Sequence, residues 1–254
     1  MARRGNGWRT WWRGMLRLRL ALAARLDRLE SIVRRIVERI GWPQRWLQEY
    51  ITYTNEPRMA LEEFWVRYVL KRIEVQPLFK KQMTEQEALH FYRTSDYMLL
   101  RNLVHRRHSA WRRVLVTMRG RTGSLLEWGC GVAPISAWVQ AKRPGWRFDL
   151  YDIVGSPHFK YAEWRIQRRS SSPVHDVATL VDVLEHVSDP MHTTHQVLAE
   201  LRPGGYLHWN FISNERQNDL DLASPKQHAE TVAYLYQALD LVWEKNGYRV
   251  SRKR

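Results

Sequence analysis

The chain holds a single cysteine, Cys130, among 254 residues. One thiol can neither close an internal disulfide nor assemble a thiolate zinc cluster, so a stapled secreted scaffold is excluded and a reducing compartment is expected. Long apolar runs are missing as well. Arginine interrupts every candidate before the roughly 18 residues that a bilayer crossing needs. Acidic residues are absent from Met1 to Leu26, a stretch that carries Arg3, Arg4, Arg9, Arg13, Arg17, Arg19 and Arg25. There is no internal repeat and no low-complexity tract, and 44% hydrophobic with 26% charged residues is the composition of a folded globular chain.

What is present is a large excess of positive charge: 41 Lys and Arg against 26 Asp and Glu, a formal net charge of +15. Such a balance attracts nucleic acid, anionic lipid or an anionic small molecule, and charge alone does not choose among them. Between Met15 and Ile40, Leu18, Leu22, Leu26, Leu29, Ile32, Val33, Ile36, Val37 and Ile40 recur at helical steps, opposite Arg17, Arg28, Arg35 and Arg39. With Trp8, Trp11 and Trp12 upstream, residues 1–40 suit peripheral contact with a membrane, but the Leu, Ile and Val of the apolar face suit packing on the chain's own core or on a second copy in a homodimer better.

Further helices are expected at Gln44–Tyr53, Met59–Val75, Thr84–Val104 and His105–Met118, with Thr84 and Glu87 forming a capping box. Residues 1–118 therefore read as an all-helical region. From residue 119 to 254 the texture changes to short apolar strands alternating with helices, which predicts an α/β fold: a Rossmann-like, mostly parallel sheet with helices on both faces. Strands are expected at Ser124–Trp128, Arg147–Asp152, Val177–Val183, Tyr206–Ile212 and Tyr248–Val250. Helices are expected at Pro134–Ala141, Pro157–Arg168, Pro190–Leu201 and Lys226–Asn246. Such a sheet places its ligand beyond the carboxyl ends of its strands.

The stretch Leu125-Leu-Glu-Trp-Gly-Cys-Gly-Val-Ala133 is an apolar strand ending in an acid, followed by two glycines and a helix. That arrangement lets backbone approach a ligand closely and aims helix N–H groups at it. Asp152 ends the next strand twenty-five residues after Glu127, close to the spacing of ribose-binding acids in dinucleotide folds.

With Glu127-Trp-Gly-Cys-Gly131, Asp152, Asp176-Val-Ala-Thr-Leu-Val-Asp-Val-Leu-Glu-His-Val187, Asp189-Pro190 and Leu201-Arg-Pro-Gly-Gly-Tyr206 in this order, the sequence resembles the class I S-adenosylmethionine-dependent methyltransferases over about Ser124 to Ser213. The resemblance implies S-adenosyl-L-methionine as cofactor. It implies that Glu127 holds the cofactor's amino-acid end, directly or through water, that Gly129, Cys130 and Gly131 line methionine and ribose, that Asp152 with Ile153 binds the ribose, and that Asp182, Val183 and Leu184 pass beneath the sulfonium. Beyond the fourth strand of that family, His186 with Glu185 is the candidate general base for an acceptor that must lose a proton. Tyr92, Arg93, Tyr97 and Arg101, at helical spacing ahead of the core, are candidate acceptor contacts.

Two departures from the family pattern stand out. Between Asp152 and Asp176 there is room for one helix and the loop Arg169-Ser-Ser-Ser-Pro173, but hardly for a third strand, and adenine recognition has no assigned residue. Past Ser213 one terminal strand is expected where the family has a pair. His192 and His195 share a helical spacing, but no acidic partner completes a ligand set, so no metal is expected. The reading is methyl transfer to a small-molecule acceptor, of the sugar or nucleotide-sugar kind and anionic, in a cytoplasmic protein peripheral to the membrane. The other readings are an RNA methyltransferase, which lacks here the Asn/Asp-Pro-Pro-aromatic signature of base-amino enzymes, and a non-catalytic or membrane-associated relative.

Overall fold

A computed structural model describes residues 45–80, 83–105, 110–118, 120–170, 172–211, 221–245 and 247–254. The expectations for residues 1–40 lie outside them. The chain divides into two units, 1–50 and 51–254, and the second holds the sheet. Helix α1 (Arg45–Thr54) crosses that division.

In the second unit come α2 (Leu61–Val75), a 3-10 turn (Gln76–Lys80), α3 (Glu85–Thr94), α4 (Asp96–His105) and α5 (Ala110–Thr117). Thr84 caps α3 as expected: its hydroxyl accepts the Glu87 N–H at 3.3 Å, and the Glu87 carboxylate accepts the Thr84 N–H at 2.8 Å. The single helix expected over Thr84–Val104 is two helices. Ser95 is extended, and its hydroxyl accepts the Tyr97 N–H at 3.3 Å, so a Ser-Asp start signal inside the apolar periodicity begins α4 anew. Tyr97 is buried and stacks on Tyr68 of α2, with ring centroids 5.9 Å apart.

The remaining elements are β1 (Thr122–Trp128), α6 (Pro134–Lys142), β2 (Gly145–Tyr151), α7 (Pro157–Arg165), β3 (His175–Leu180), a 3-10 turn (Leu184–His186), α8 (Pro190–Glu200), β4 (Leu201–Asn210), α9 (Pro225–Ala238), β5 (Leu239–Lys245) and β6 (Tyr248–Lys253). They form one six-stranded sheet in the order β2-β1-β3-β4-β6-β5. The first four strands are parallel, and β6 joins β4 and β5 antiparallel. This is the expected α/β architecture, a mostly parallel sheet covered on both faces. Alternation along β1 shows how it is filled. Leu125 packs with Val139, Phe148 and Phe159 on the face of α6 and α7, and its neighbour Leu126 packs with Val197, Leu207 and Leu235 on the face of α8 and α9.

Two expectations change. Helix α9 stops at Ala238, and Leu239–Lys245 is a strand where the helix was expected to run to Asn246. Leu239 is buried at the start of the strand and β6 supplies the ladder, with a register shift between Leu241 and Trp243, so the terminal strand pair is present. The missing third strand survives as a single bridge: Phe148 N–H donates to the Arg168 carbonyl at 2.9 Å, and Ser170 N–H donates to the Phe148 carbonyl at 2.7 Å. The edge of β2 is therefore covered by one residue pair rather than by a strand. Among the described residues no helix is long and apolar enough to cross a membrane.

Candidate active site

The carboxyl ends of β1, β2 and β3 open into a cavity of ≈ 380 Å³, roofed by α3 and α4 through Tyr92, Met98, Arg101 and Asn102. That volume lies within the usual range for small-molecule sites. The glycine loop after β1 forms one wall. Gly129 has φ +63, and a Cβ there would lie 2.4 Å from Cγ2 of Val183. Gly131 has φ +54, and its Cβ would stand 2.9 Å from Nδ2 of Asn102. The left-handed backbone favours glycine at both positions, and at Gly129 the Val183 side chain leaves no room for a Cβ.

The Cys130 N–H donates to the Tyr151 carbonyl at 3.0 Å, locking the loop to the end of β2. Burial and the nearby carboxylates of Asp152 and Glu127 push the Cys130 thiol well up, so it is a neutral wall. Trp128 and Tyr151 stack at 4.4 Å with an angle of 2° between their planes, a flat aromatic pair on the same cavity.

Glu127 does not face the cavity. Its two oxygens accept the N–H groups of Ile135 at 3.2 Å and Ser136 at 2.7 Å, at the first turn of α6. These contacts close the glycine loop against the helix N-terminus. Burial pushes its carboxyl up to about 7, against the pull of those hydrogen bonds.

Asp152 does face the cavity. Its oxygens accept N–H groups from Gly131 and Ile153, each at 2.7 Å. Nε2 of the buried His158 is 3.0 Å away and also 3.1 Å from the Ser156 hydroxyl. Burial opposes ionisation of Asp152, yet the His158 contact and the two N–H groups hold its carboxyl below the usual range. With about four lone-pair positions and three of them engaged, the carboxylate keeps capacity for one ribose hydroxyl on Oδ2. His158 was not identified from sequence. The only cue is a histidine just inside a Ser-Pro helix start, six residues after Asp152.

Past β3, Asp182 takes φ +56, and its N–H donates to Oδ1 of Asn210 at 2.7 Å. The Asn210 amide donates back to the Asp182 carboxylate. Asp182 and Val183 line the cavity, whereas Leu184 points into the core and is fully buried. His186 lines the cavity, with Nδ1 3.3 Å from Oδ1 of the buried Asp221. Glu185 turns inward and burial pushes its carboxyl up, while its backbone carbonyl accepts N–H groups from Leu222 at 2.9 Å and Ala223 at 3.3 Å. Glu185 thus fastens the segment that brings Asp221 to His186. No spacing in the sequence announces Asp221.

Of the four expected acceptor contacts, the structure brings Tyr92 and Arg101 to the cavity. Arg93 is exposed on another face of α3, and Tyr97 is committed to packing against Tyr68. Among the described residues no group of three or more His, Cys, Asp or Glu is arranged to hold a metal ion.

The family model described as a methyltransferase domain matches residues 101–252, more than half of the chain, with nearly all of this sheet and most of the cavity lining. The chain belongs to the methyltransferase family. No curated protein matches its sequence. Solved structures to which it is similar include an O-methyltransferase family protein from Burkholderia thailandensis, at 12% identity over 76% of this chain and 70% of that one with a TM-score of 0.48. TnmH follows at 14% identity over 74% and 68%, TM-score 0.46, and a SAM-dependent methyltransferase from Methanosarcina mazei at 14% over 55% and 96%, TM-score 0.39.

S-adenosylmethionine is the methyl donor of this methyltransferase family, and the cavity suits it. Gly129 and Gly131 bring bare backbone to the cavity wall, and Asp152, which lines the cavity at the end of β2, is held ionised.

Proposed function

We propose that this methyltransferase transfers the methyl group to a hydroxyl of a small-molecule acceptor of the sugar or nucleotide-sugar kind, with His186 as general base. The observation that carries the proposal is the pairing of His186 with Asp221 on the same cavity that Asp152 and the glycine loop line. In this reading Nδ1–H turns to the Asp221 carboxylate 3.3 Å away, which leaves the basic lone pair on Nε2.

The bound donor supplies an electrophilic methyl on a sulfonium, which leaves as a neutral thioether. This chain's residues do the rest. Asp152, steadied by His158, holds the ribose, and the glycine loop lets backbone lie against the ligand. As the acceptor oxygen forms its bond to the methyl carbon and the sulfur–carbon bond breaks, Nε2 of His186 takes the hydroxyl proton, and Asp221 stabilises the imidazolium. Tyr92, Met98, Arg101 and Asn102 roof the cavity and exclude water from the transfer.

The roofed cavity favours a small acceptor over a polymer. Incubation with methyl-labelled S-adenosylmethionine and a panel of sugars, nucleotide sugars and short RNA tests this reading. Label is expected in a sugar-class hydroxyl. Label in RNA alone, or no transfer despite tight S-adenosylhomocysteine binding, would count against it.

A further inference from the structure

Arg101 is the one lysine or arginine among the residues lining the cavity. Met98, Arg101 and Asn102 are three and four residues apart on α4, so one helix face turns all three to the roof. Several arginines elsewhere in this unit are engaged: Arg67 with Glu56 and Glu63, Arg165 with the Val132 carbonyl, Arg202 with Asp176, Arg249 with Glu244. Arg101 has no such partner among the described residues, although it is half-buried. A guanidinium partly withdrawn from water without a counter-charge is unfavourable, and the fork geometry suits a carboxylate or phosphate.

Its surroundings say where such an anion lies. Tyr92, also in the roof, has its phenol pushed up chiefly by burial, with Arg101 pulling it down and Asp152, Asp221 and Glu185 acting in the opposite sense. The Tyr92 ring meets His158 edge-on at 6.2 Å. The Tyr92 hydroxyl thus stands in the field of Arg101 on one hand and of the carboxylates behind Asp152 and His186 on the other. The cavity is polarised, with one cation on the roof and the acids on the floor.

We infer that Arg101 is an acceptor-specificity residue, and that the acceptor carries a carboxylate or phosphate which Arg101 grips while His186 faces the hydroxyl to be methylated. This inference rests on the methyl-transfer reading of the site. A carboxylate is also present on the methyl donor, so the test separates the two sources.

Calorimetry on the full chain saturated with S-adenosylhomocysteine measures binding of glucose 6-phosphate, glucuronate and glucose, and of 4-hydroxybenzoate and 4-hydroxybenzyl alcohol. On at least one scaffold the anionic member is expected to bind at least about tenfold more tightly than the neutral one. Arg101→Gln erases the difference, Arg101→Lys retains part of it, and S-adenosylhomocysteine affinity stays within about twofold in both. Equal binding of anionic and neutral members, or binding of neither, overturns the inference. So does a tenfold loss of S-adenosylhomocysteine affinity in a folded Arg101→Gln protein, which would assign the guanidinium to the donor's carboxylate. Wild-type protein that does not bind S-adenosylhomocysteine would overturn the methyl-transfer reading itself. Normal binding without an anion preference overturns this inference alone.

Discussion

Nδ1 of His186 stands 3.3 Å from Oδ1 of Asp221, a residue thirty-five positions later that no motif marks. Their juxtaposition depends on the Glu185 carbonyl, which accepts the Leu222 and Ala223 N–H groups and so pins the Asp221 segment beside the turn after β3. If the pair removes a proton from the acceptor, His186→Ala lowers turnover by roughly 10²- to 10⁴-fold, and Asp221→Asn by about 10- to 100-fold. Both leave S-adenosylhomocysteine affinity nearly unchanged. Steady-state rates set beside calorimetry check this, and a variant that loses affinity rather than turnover would reassign the pair to cofactor positioning.

Asp152→Ala is expected to weaken S-adenosylhomocysteine binding by about 1–3 kcal/mol through loss of charged hydrogen bonds. His158→Ala follows in the same direction with a smaller loss, because His158 acts through Asp152, while His158→Asn retains part of the contact. Isothermal titration of the three folded variants orders the effects.

Gly129→Ala combines roughly 1–2 kcal/mol of left-handed backbone strain with a contact that Val183 must relieve by moving. The protein is expected to fold with a lowered Tm and to lose at least about tenfold in S-adenosylhomocysteine affinity. Unchanged affinity would place the ligand away from the loop.

Most of the sheet was legible because β1 to β4 announce themselves by apolar runs closed with Gly, Pro and acids. Asp152 could be placed at the ligand end of the sheet from sequence because it directly follows β2, and His186 because it lies in the turn after β3. The C-terminal hairpin was not legible, since Leu239-Asp-Leu-Val-Trp-Glu-Lys245 continues the apolar spacing of α9 and only pairing with β6 makes it a strand. Glu127 was read for its ligand role because the sequence cannot show that the first turn of α6 folds back onto both its oxygens. His158 and Asp221 act through tertiary contacts at separations no local pattern encodes.

The Glu127 carboxyl offers a pH signature. Its folded value of about 7 exceeds the ordinary 4.5, so between those limits the folded state binds more protons than the unfolded one, and stability falls as pH rises. The contribution is on the order of 3 kcal/mol, fully developed above about pH 7 and absent below about pH 4.5. Urea unfolding across this range should show the wild-type minus Glu127→Gln difference falling with pH. A flat difference would mean that Glu127 ionises in the fold as it does in water.

The most direct test of the central claim, that the cavity at the ends of β1, β2 and β3 is a methyl-donor site built around Asp152, is calorimetric titration of the full chain with S-adenosylhomocysteine, wild type beside Asp152→Ala. The account predicts one site per chain with saturable binding that Asp152→Ala weakens by about 5- to 150-fold, the equivalent of about 1–3 kcal/mol. Absence of binding by the wild type, or equal binding by the folded variant, would contradict it.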